Sequence, residues 1–168
     1  MTPFLLERTT RVQRPLSEVF AFFSDASNLA RLTPPELGFE ILTPRPIAMQ
    51  AGTRIDYRIR LFGLPMEWRT RITAWNPPHE FADLQERGPY AWWHHTHRFE
   101  EIAEGTRMTD RVEYRLPLGW LGCAGWPLVR LQLRRIFDYR GAAVLRLLDA
   151  PAGGNVGRGR ISPARPRA

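Results

Sequence analysis

The sequence predicts an α+β domain: a curved antiparallel sheet of about seven strands wrapped on one long C-terminal helix, with two short helices after the first strand. Three observations carry this expectation. Between residues 53 and 116 the chain alternates apolar and polar residues in segments joined by short turns, the pattern of an antiparallel meander. From 128 to 148 the apolar residues fall at helical spacing instead. An antiparallel sheet needs a cover for its apolar face, and that helix is the one element large enough.

Residues 4–13 (FLLERTTRVQ) read as the first strand, with Phe4, Leu6, Thr10 and Val12 on one face and Arg8 interrupting it. Pro15 suits the opening turn of a helix, and Leu16 to Ser24 follows with Val19, Phe20 and Phe23 on one side. Asp25 or Ser27 caps a second short helix, Asn28 to Leu32, which Thr33-Pro34-Pro35 ends. Both helices are too short to stand alone and must lie against a sheet.

Phe39 to Thr43 is a short strand, and Pro46 to Gly52 is a loop. Thr53 to Phe62 places Ile55, Tyr57, Ile59 and Leu61 inside; Met66 to Trp75 returns with Trp68, Thr70, Ile72 and Ala74 together. Glu80 to Glu86 is a weaker strand whose blurred period leaves its facing open. Pro117 to Trp126 reads as a loop rich in Gly and aromatics. The long helix, Leu128 to Leu148, has the stripe Val129, Leu133, Ile136, Phe137, Val144, Leu147 and Leu148. On its polar face Arg134 and Asp138 are spaced to pair at i,i+4. The domain is expected to span residues 1–149, with 150–168 a disordered tail rich in Arg, Gly and Pro.

A chain of 168 residues is long enough for one domain with a real core. No apolar run approaches the ~20 residues of a membrane-spanning helix. The opening MTPFLLERTT lacks the basic start of a signal peptide, so a cytoplasmic location is expected. The single cysteine, Cys123, excludes an intrachain disulfide and a cysteine-cluster metal site. The net charge is +7 and every basic residue is arginine. Arg158, Arg160, Arg165 and Arg167 stand in the acid-free tail, whereas residues 1–157 hold 20 Arg against 17 acids. The basicity thus says little about the folded body, and no specific nucleic-acid partner is expected. Phosphate-binding glycine motifs are absent, and no cofactor is expected.

Trp92 to Tyr114 (WWHHTHRFEEIAEGTRMTDRVEY) forms a β-hairpin, and it carries the candidate site. Alternation puts Trp93, His95, His97, Phe99 and Glu101 on one face of the first run. Met108, Asp110, Val112, Tyr114 and Leu116 share the inner face of the second. A two-residue turn at Glu104-Gly105 sets Phe99 opposite Asp110, His97 opposite Val112 and His95 opposite Tyr114. Two imidazoles, a carboxylate and a phenol then lie on the inner face of one sheet. Burying such groups without partners costs roughly 1–3 kcal/mol each, so a plain core has no use for them. Tyr57, Trp68 and Trp93 are their candidate companions in a ligand-binding wall. The spacing His95-x-His97-x-x-x-Glu101 also suggests three metal ligands on one face, but no His follows His97 and His94 has the wrong parity, so no metal is expected.

The stretches VFAFFSDASNLARLTPP, GPYAWWHHTHRFEE and GTRMTDRVEYRLPLG carry a resemblance to the START-like superfamily, also called SRPBCC or Bet v 1-like. More closely the chain resembles the bacterial polyketide cyclase/dehydrase-like group, over about residues 3–149. The resemblance implies a helix-grip fold with a deep, largely apolar cavity between sheet and long helix. It does not imply one activity, since members carry lipids and hormones or cyclise polyketides.

Three readings of His95, His97, Asp110 and Tyr114 stay open. They are satisfied core polars that fix register, or polar anchors for a small hydrophobic or aromatic ligand (lipid, quinone or polyketide-like). Alternatively they are catalytic, in a cyclase or dehydratase, with His95 or His97 as general base, Asp110 orienting it and Tyr114 polarising a carbonyl. The expected partner is a small hydrophobic molecule. The loop before the helix is expected to be the cavity entrance, with Leu118, Trp120, Leu121 and Trp126 as its lip. Trp120, Leu121 and Trp126 would offer a transient membrane or protein contact. Monomer and dimer are both compatible with the sequence.

Overall fold

The computed structural model describes residues 2–148 and 160–163. In chain order the elements are β1 (Phe4–Val12), α1 (Leu16–Ser24), two 3-10 segments (Ala26–Leu32 and Pro35–Leu37), β2 (Glu40–Ile41), β3 (Arg54–Leu61) and β4 (Leu64–Asn76). There follow β5 (Glu80–Arg87), β6 (Trp92–Ile102), β7 (Gly105–Arg115), α2 (Gly119–Ala124), α3 (Trp126–Leu147) and β8 (Arg160–Pro163). One antiparallel sheet runs in the order β2-β3-β4-β5-β6-β7-β1-β8. The meander is sequential, and β1 closes its far side by pairing with β7 from Phe4↔Tyr114 to Val12↔Thr106.

Local sequence explains the helical cover. The Pro15 carbonyl accepts from the Glu18 and Val19 N–H groups to start α1, which buries Val19, Phe20 and Phe23. Asp25 is the cap of the next segment, accepting from the Ser27 N–H at 2.8 Å. That segment is a 3-10 helix rather than an α-helix; the Asn28 side chain ties it back to the Phe22 carbonyl at 2.9 Å. Pro34 and Pro35 then forbid its continuation.

Several expectations need correction. The β6–β7 turn is Ala103-Glu104, because Ile102 pairs with Gly105. His97 therefore faces Asp110, His95 faces Val112, Trp93 faces Tyr114, and Phe99 faces Met108. This slip of two residues from the expected register leaves every side chain on its face. Gly105 is needed in the strand: its φ is 129°, and a Cβ there would stand 2.3 Å from the Val12 carbonyl oxygen.

The blurred period of β5 has a cause as well. Its register with β4 shifts between Arg69 and Thr70 and again between Ile72 and Ala74, so both Phe81 and Ala82 are buried. Residues 117–126 are not all loop, since α2 occupies Gly119–Ala124 and α3 starts at Trp126. Asp138 pairs with Arg8 across the core rather than serving the expected Arg134 contact. Arg160–Pro163, expected in the disordered tail, pair with β1 and cover its otherwise open edge. The remainder of that tail lies outside the described residues.

The core has two apolar clusters. One contains Leu6, Trp93, Val112, Tyr114, Leu133 and Phe137. The other contains Val12, Phe20, Phe81, Phe99, Met108 and Val144. Four elements change from one to the other at the same level, and each does so through a polar residue: Arg8 on β1, Asp110 on β7, His95 and His97 on β6, and Arg140 on α3. A polar belt thus crosses the core between two apolar halves.

Candidate functional site

The belt is built by three adjacent strands. β5 places Asp83 directly across from His95, and β7 places Asp110 directly across from His97. α3 lays Arg140 over them, its guanidinium carbon 5.2 Å above the Phe23 ring. His95 is also 5.6 Å from the Phe137 ring of α3, so the cluster faces that helix.

Asp110 Oδ1 lies between the two imidazoles. It accepts a hydrogen bond from His95 Nε2 at 2.9 Å and stands 2.8 Å from His97 Nδ1, where alignment is too poor for a well-formed bond. Its other oxygen, Oδ2, is 3.5 Å from Arg140 Nε. On the far side, Asp83 Oδ2 stands 3.5 Å from His97 Nε2 and 3.9 Å from His95 Nδ1. Thr70 donates to Asp83 Oδ1 at 2.7 Å. His97 is sandwiched, with its ring centroid 4.2 Å from Phe81 and 3.8 Å from His95.

Electrostatics follow from burial. Burial pushes the His95 imidazole down to about 4, with His97 adding to the effect and Asp110 opposing it. His95 is therefore neutral at pH 7. Burial works against the Asp110 charge, but Arg140 and the two imidazoles outweigh it and hold the carboxyl well below its usual range. Asp83 is opposed by burial in the same way, and His97, His95 and Thr70 hold it below its usual value. Burial raises the Tyr57 and Tyr90 phenols, so both are neutral donors. An ionised Asp110 can only accept, which assigns a proton to the His95 Nε2 that bonds to it. On the other side of the rings, His95 Nδ1 and His97 Nε2 face Asp83.

A cavity of about 170 Å3 lies against this cluster. Tyr57, Trp68, Trp93, His95 and His97, all expected in a binding wall, line it, and Asp83 and Arg140 join them. Two expected residues do not. Asp110 sits behind the imidazoles, outside the wall. Tyr114 is fully buried, and its hydroxyl accepts from Trp126 Nε1 at 3.3 Å. Glu101 is exposed and does not join the cluster.

Among the described lining residues Asp25 is exposed, and Leu29, Thr33 and Met49 are half-buried. Leu118 is exposed without lining the cavity, and Trp126 stacks on Phe4 at 5.2 Å. The side chains of Trp120 and Leu121 lie outside the described residues.

Sequence reasoning missed Asp83 and Arg140, and each had a signal. Asp83 is two residues from Phe81, hence on the same face of β5. Arg140 fills the one gap in the α3 stripe between Phe137 and Val144. Asp83, His95 and His97 are also the residues able to hold a metal ion, with one ligand atom from each lying within 4.8 Å of the others.

Comparison with known proteins agrees with this architecture. Residues 12–136 match the family described as "Polyketide cyclase / dehydrase and lipid transport". The chain belongs to this family. The antiparallel sheet with its long C-terminal helix is the helix-grip fold.

Protein Ms6760 from Mycobacterium smegmatis aligns over 86% of this chain and 90% of its own, with 19% identity and a TM-score of 0.65. TTHA0849 from Thermus thermophilus aligns over 86% and 99%, with 20% identity and a TM-score of 0.60. The Bet v 1-like protein Ara h 8.0201 aligns over 84% and 97%, with 15% identity and a TM-score of 0.57. At such identities the likeness is one of fold. Among curated proteins none is significantly similar in sequence. No helix among the described residues is long and apolar enough to cross a membrane.

Proposed function

We propose that this family member binds a small hydrophobic or aromatic molecule carrying a polar group, in the cavity between the sheet and α3. The observation that carries the reading is the wall itself. It is mainly aromatic and aliphatic, yet Trp68 Nε1 is buried there without a hydrogen-bond partner, and Asp83, His95 and His97 form one polar side. An orphaned buried donor is costly in an empty cavity and useful in a filled one. The family description includes lipid transport, which agrees with an apolar cargo. Size argues for a compact one: an engineered cavity of about 150 Å3 holds benzene, so this cavity suits one or two rings better than a long acyl chain.

Magnitudes give the polar side a role. Burying about 300 Å2 of apolar ligand at ~25 cal/mol per Å2 yields a gross ~7.5 kcal/mol. Micromolar binding needs about 8 kcal/mol net, after association costs. The hydrogen-bonding groups must supply the difference.

A second reading, acid–base catalysis of the cyclase or dehydratase type in the same cavity, rests on the cavity-facing ring nitrogens of His95 and His97. It is the weaker one, because a histidine pushed down to about 4 is a poor base at pH 7.

The test is calorimetric titration with 2-naphthol, two fused rings bearing one hydroxyl. The expected result is one saturable site of micromolar affinity, weakened at least tenfold by Ile59→Phe, which fills the cavity from its wall. Equal affinity in the filled variant would sink the reading.

A further inference from the structure

We propose that Asp83, His95 and His97 form a site for one divalent first-row transition-metal ion, opening onto the cavity. The three ligand atoms are His95 Nδ1, His97 Nε2 and Asp83 Oδ2, which lie together on the cavity side of the cluster. Asp83 Oδ2 is 3.5 Å from His97 Nε2 and 3.9 Å from His95 Nδ1. Two ligands about 2.1 Å from one ion stand roughly 3.0–3.4 Å apart; the three atoms lie within 4.8 Å of one another, so the side chains draw together to close on an ion.

The opposite end of every ligand is already held. Asp110 Oδ1 takes the back of both imidazoles, at 2.9 Å from His95 Nε2 and 2.8 Å from His97 Nδ1. Thr70 occupies Asp83 Oδ1 at 2.7 Å, so Oδ2 is the oxygen that faces the imidazoles. A carboxylate behind a histidine fixes its tautomer and strengthens it as a ligand. Here one buried carboxylate stands behind two imidazoles, hydrogen-bonded to His95 and 2.8 Å from His97.

Charge points the same way. Asp83 and Asp110 bring two negative charges into the belt, and Arg140 brings one positive charge; the Arg8 charge is matched by Asp138. A cation between the three ligand atoms adds positive charge where two carboxylates face one guanidinium. Two imidazoles and one carboxylate suit zinc, iron(II) or cobalt better than calcium or magnesium. Since all three ligands line the cavity wall, the remaining coordination positions would face whatever occupies the cavity. The site does not depend on the small-molecule reading above.

The experiment uses the full chain, stripped by chelator dialysis and titrated with Co2+ alone by visible absorption, then with Zn2+ in competition. One Co2+ per chain is expected, displaced by one Zn2+. Asp83→Asn keeps an acceptor for Thr70 and should weaken Zn2+ binding at least a hundredfold. Asp110→Asn, behind the ligands, should weaken it about 10–100-fold. His94→Gln, on the outer face of β6, should change nothing. Circular dichroism melts identify any variant that fails to fold; if Asp83→Asn does, His97→Gln asks the same question. Absence of stoichiometric binding in the wild type, or equal affinity in the folded ligand variants, overturns the site. Neither result bears on 2-naphthol binding.

Discussion

The two faces of the same sheet use the same residue types for opposite ends. Outside, Arg69 makes a two-pronged pair with Asp56 at 2.7 and 3.0 Å, and Arg54 and Arg71 share Glu86, each at 2.7 Å. Inside, Arg140, Asp110, Asp83 and two histidines meet in the core, largely buried. β6 serves both faces, turning His95 and His97 inward and Arg98 outward to Glu80. The outer ladder is screened by water and salt, and such pairs contribute little each. The inner belt interrupts an otherwise continuous apolar core and depends on every partner being present. Counting charges along a strand is therefore uninformative, while counting buried ones against their partners locates the site.

The largest test of that contrast is Asp110→Ala. It removes the one carboxylate facing His95, His97 and Arg140 and leaves a buried guanidinium unpaired. The expected loss in urea unfolding is about 3–5 kcal/mol. A loss below about 1 kcal/mol would mean that water relieves the belt and that its two faces are not so different.

A pH titration of stability in metal-free protein comes next. His95 falls from its usual 6.5 to about 4 on folding, so between those values the unfolded chain binds the extra proton. Stability is then fully present above about pH 6.5 and is lost as pH falls toward 4, by up to ~3 kcal/mol. The groups facing His95 are His97 and Asp83 from the sheet, Asp110 behind it and Arg140 above. His95→Gln should flatten this window, whereas substitutions on the outer face should not.

How far the site was legible in the sequence depends on which signal each residue leaves. Strict alternation on β6 and β7 suffices to bring His95, His97 and Asp110 to one face, because a slip of two residues preserves facing. It does not suffice for register: the Ala103-Glu104 turn is set by Gly105 passing close to the end of β1, a contact between residues far apart in sequence. Asp83 was obscured for a related reason, since two register shifts against β4 blur the period of β5. Arg140 was passed over, although its place in the α3 stripe marks it as buried. The expected lip is not legible either way, since the side chains of Trp120 and Leu121 lie outside the described residues, while Leu29, Thr33 and Met49 line the cavity from the 3-10 segment and the loop holding Met49. The fold itself was legible, being written in the repeated patterns of whole elements rather than in single contacts.

Thr70→Val sharpens the comparison at a single bond. The substitution keeps shape and removes the hydroxyl that Asp83 Oδ1 accepts from. A hydrogen bond to a buried charged group is worth about 2 kcal/mol, and denaturant unfolding should show a loss of that order.

The smallest expected effect is on the outer face, and it tests the contrast from the other side. Asp56→Ala removes both prongs of the Arg69 pair, which has better geometry than any ion pair in the belt. If geometry decided the matter, this variant would rank with Asp110→Ala. Burial decides instead: the Arg69 guanidinium keeps its water when Asp56 is gone, and nothing is left desolvated and unpaired. The unfolding midpoint should shift far less than for Thr70→Val, and the shift should shrink further as salt is raised from 0.05 to about 0.5 M, where exposed charges are screened within a few ångströms. A salt-independent loss as large as that of Thr70→Val would show that the outer ladder, and not the belt alone, holds the curvature of the sheet.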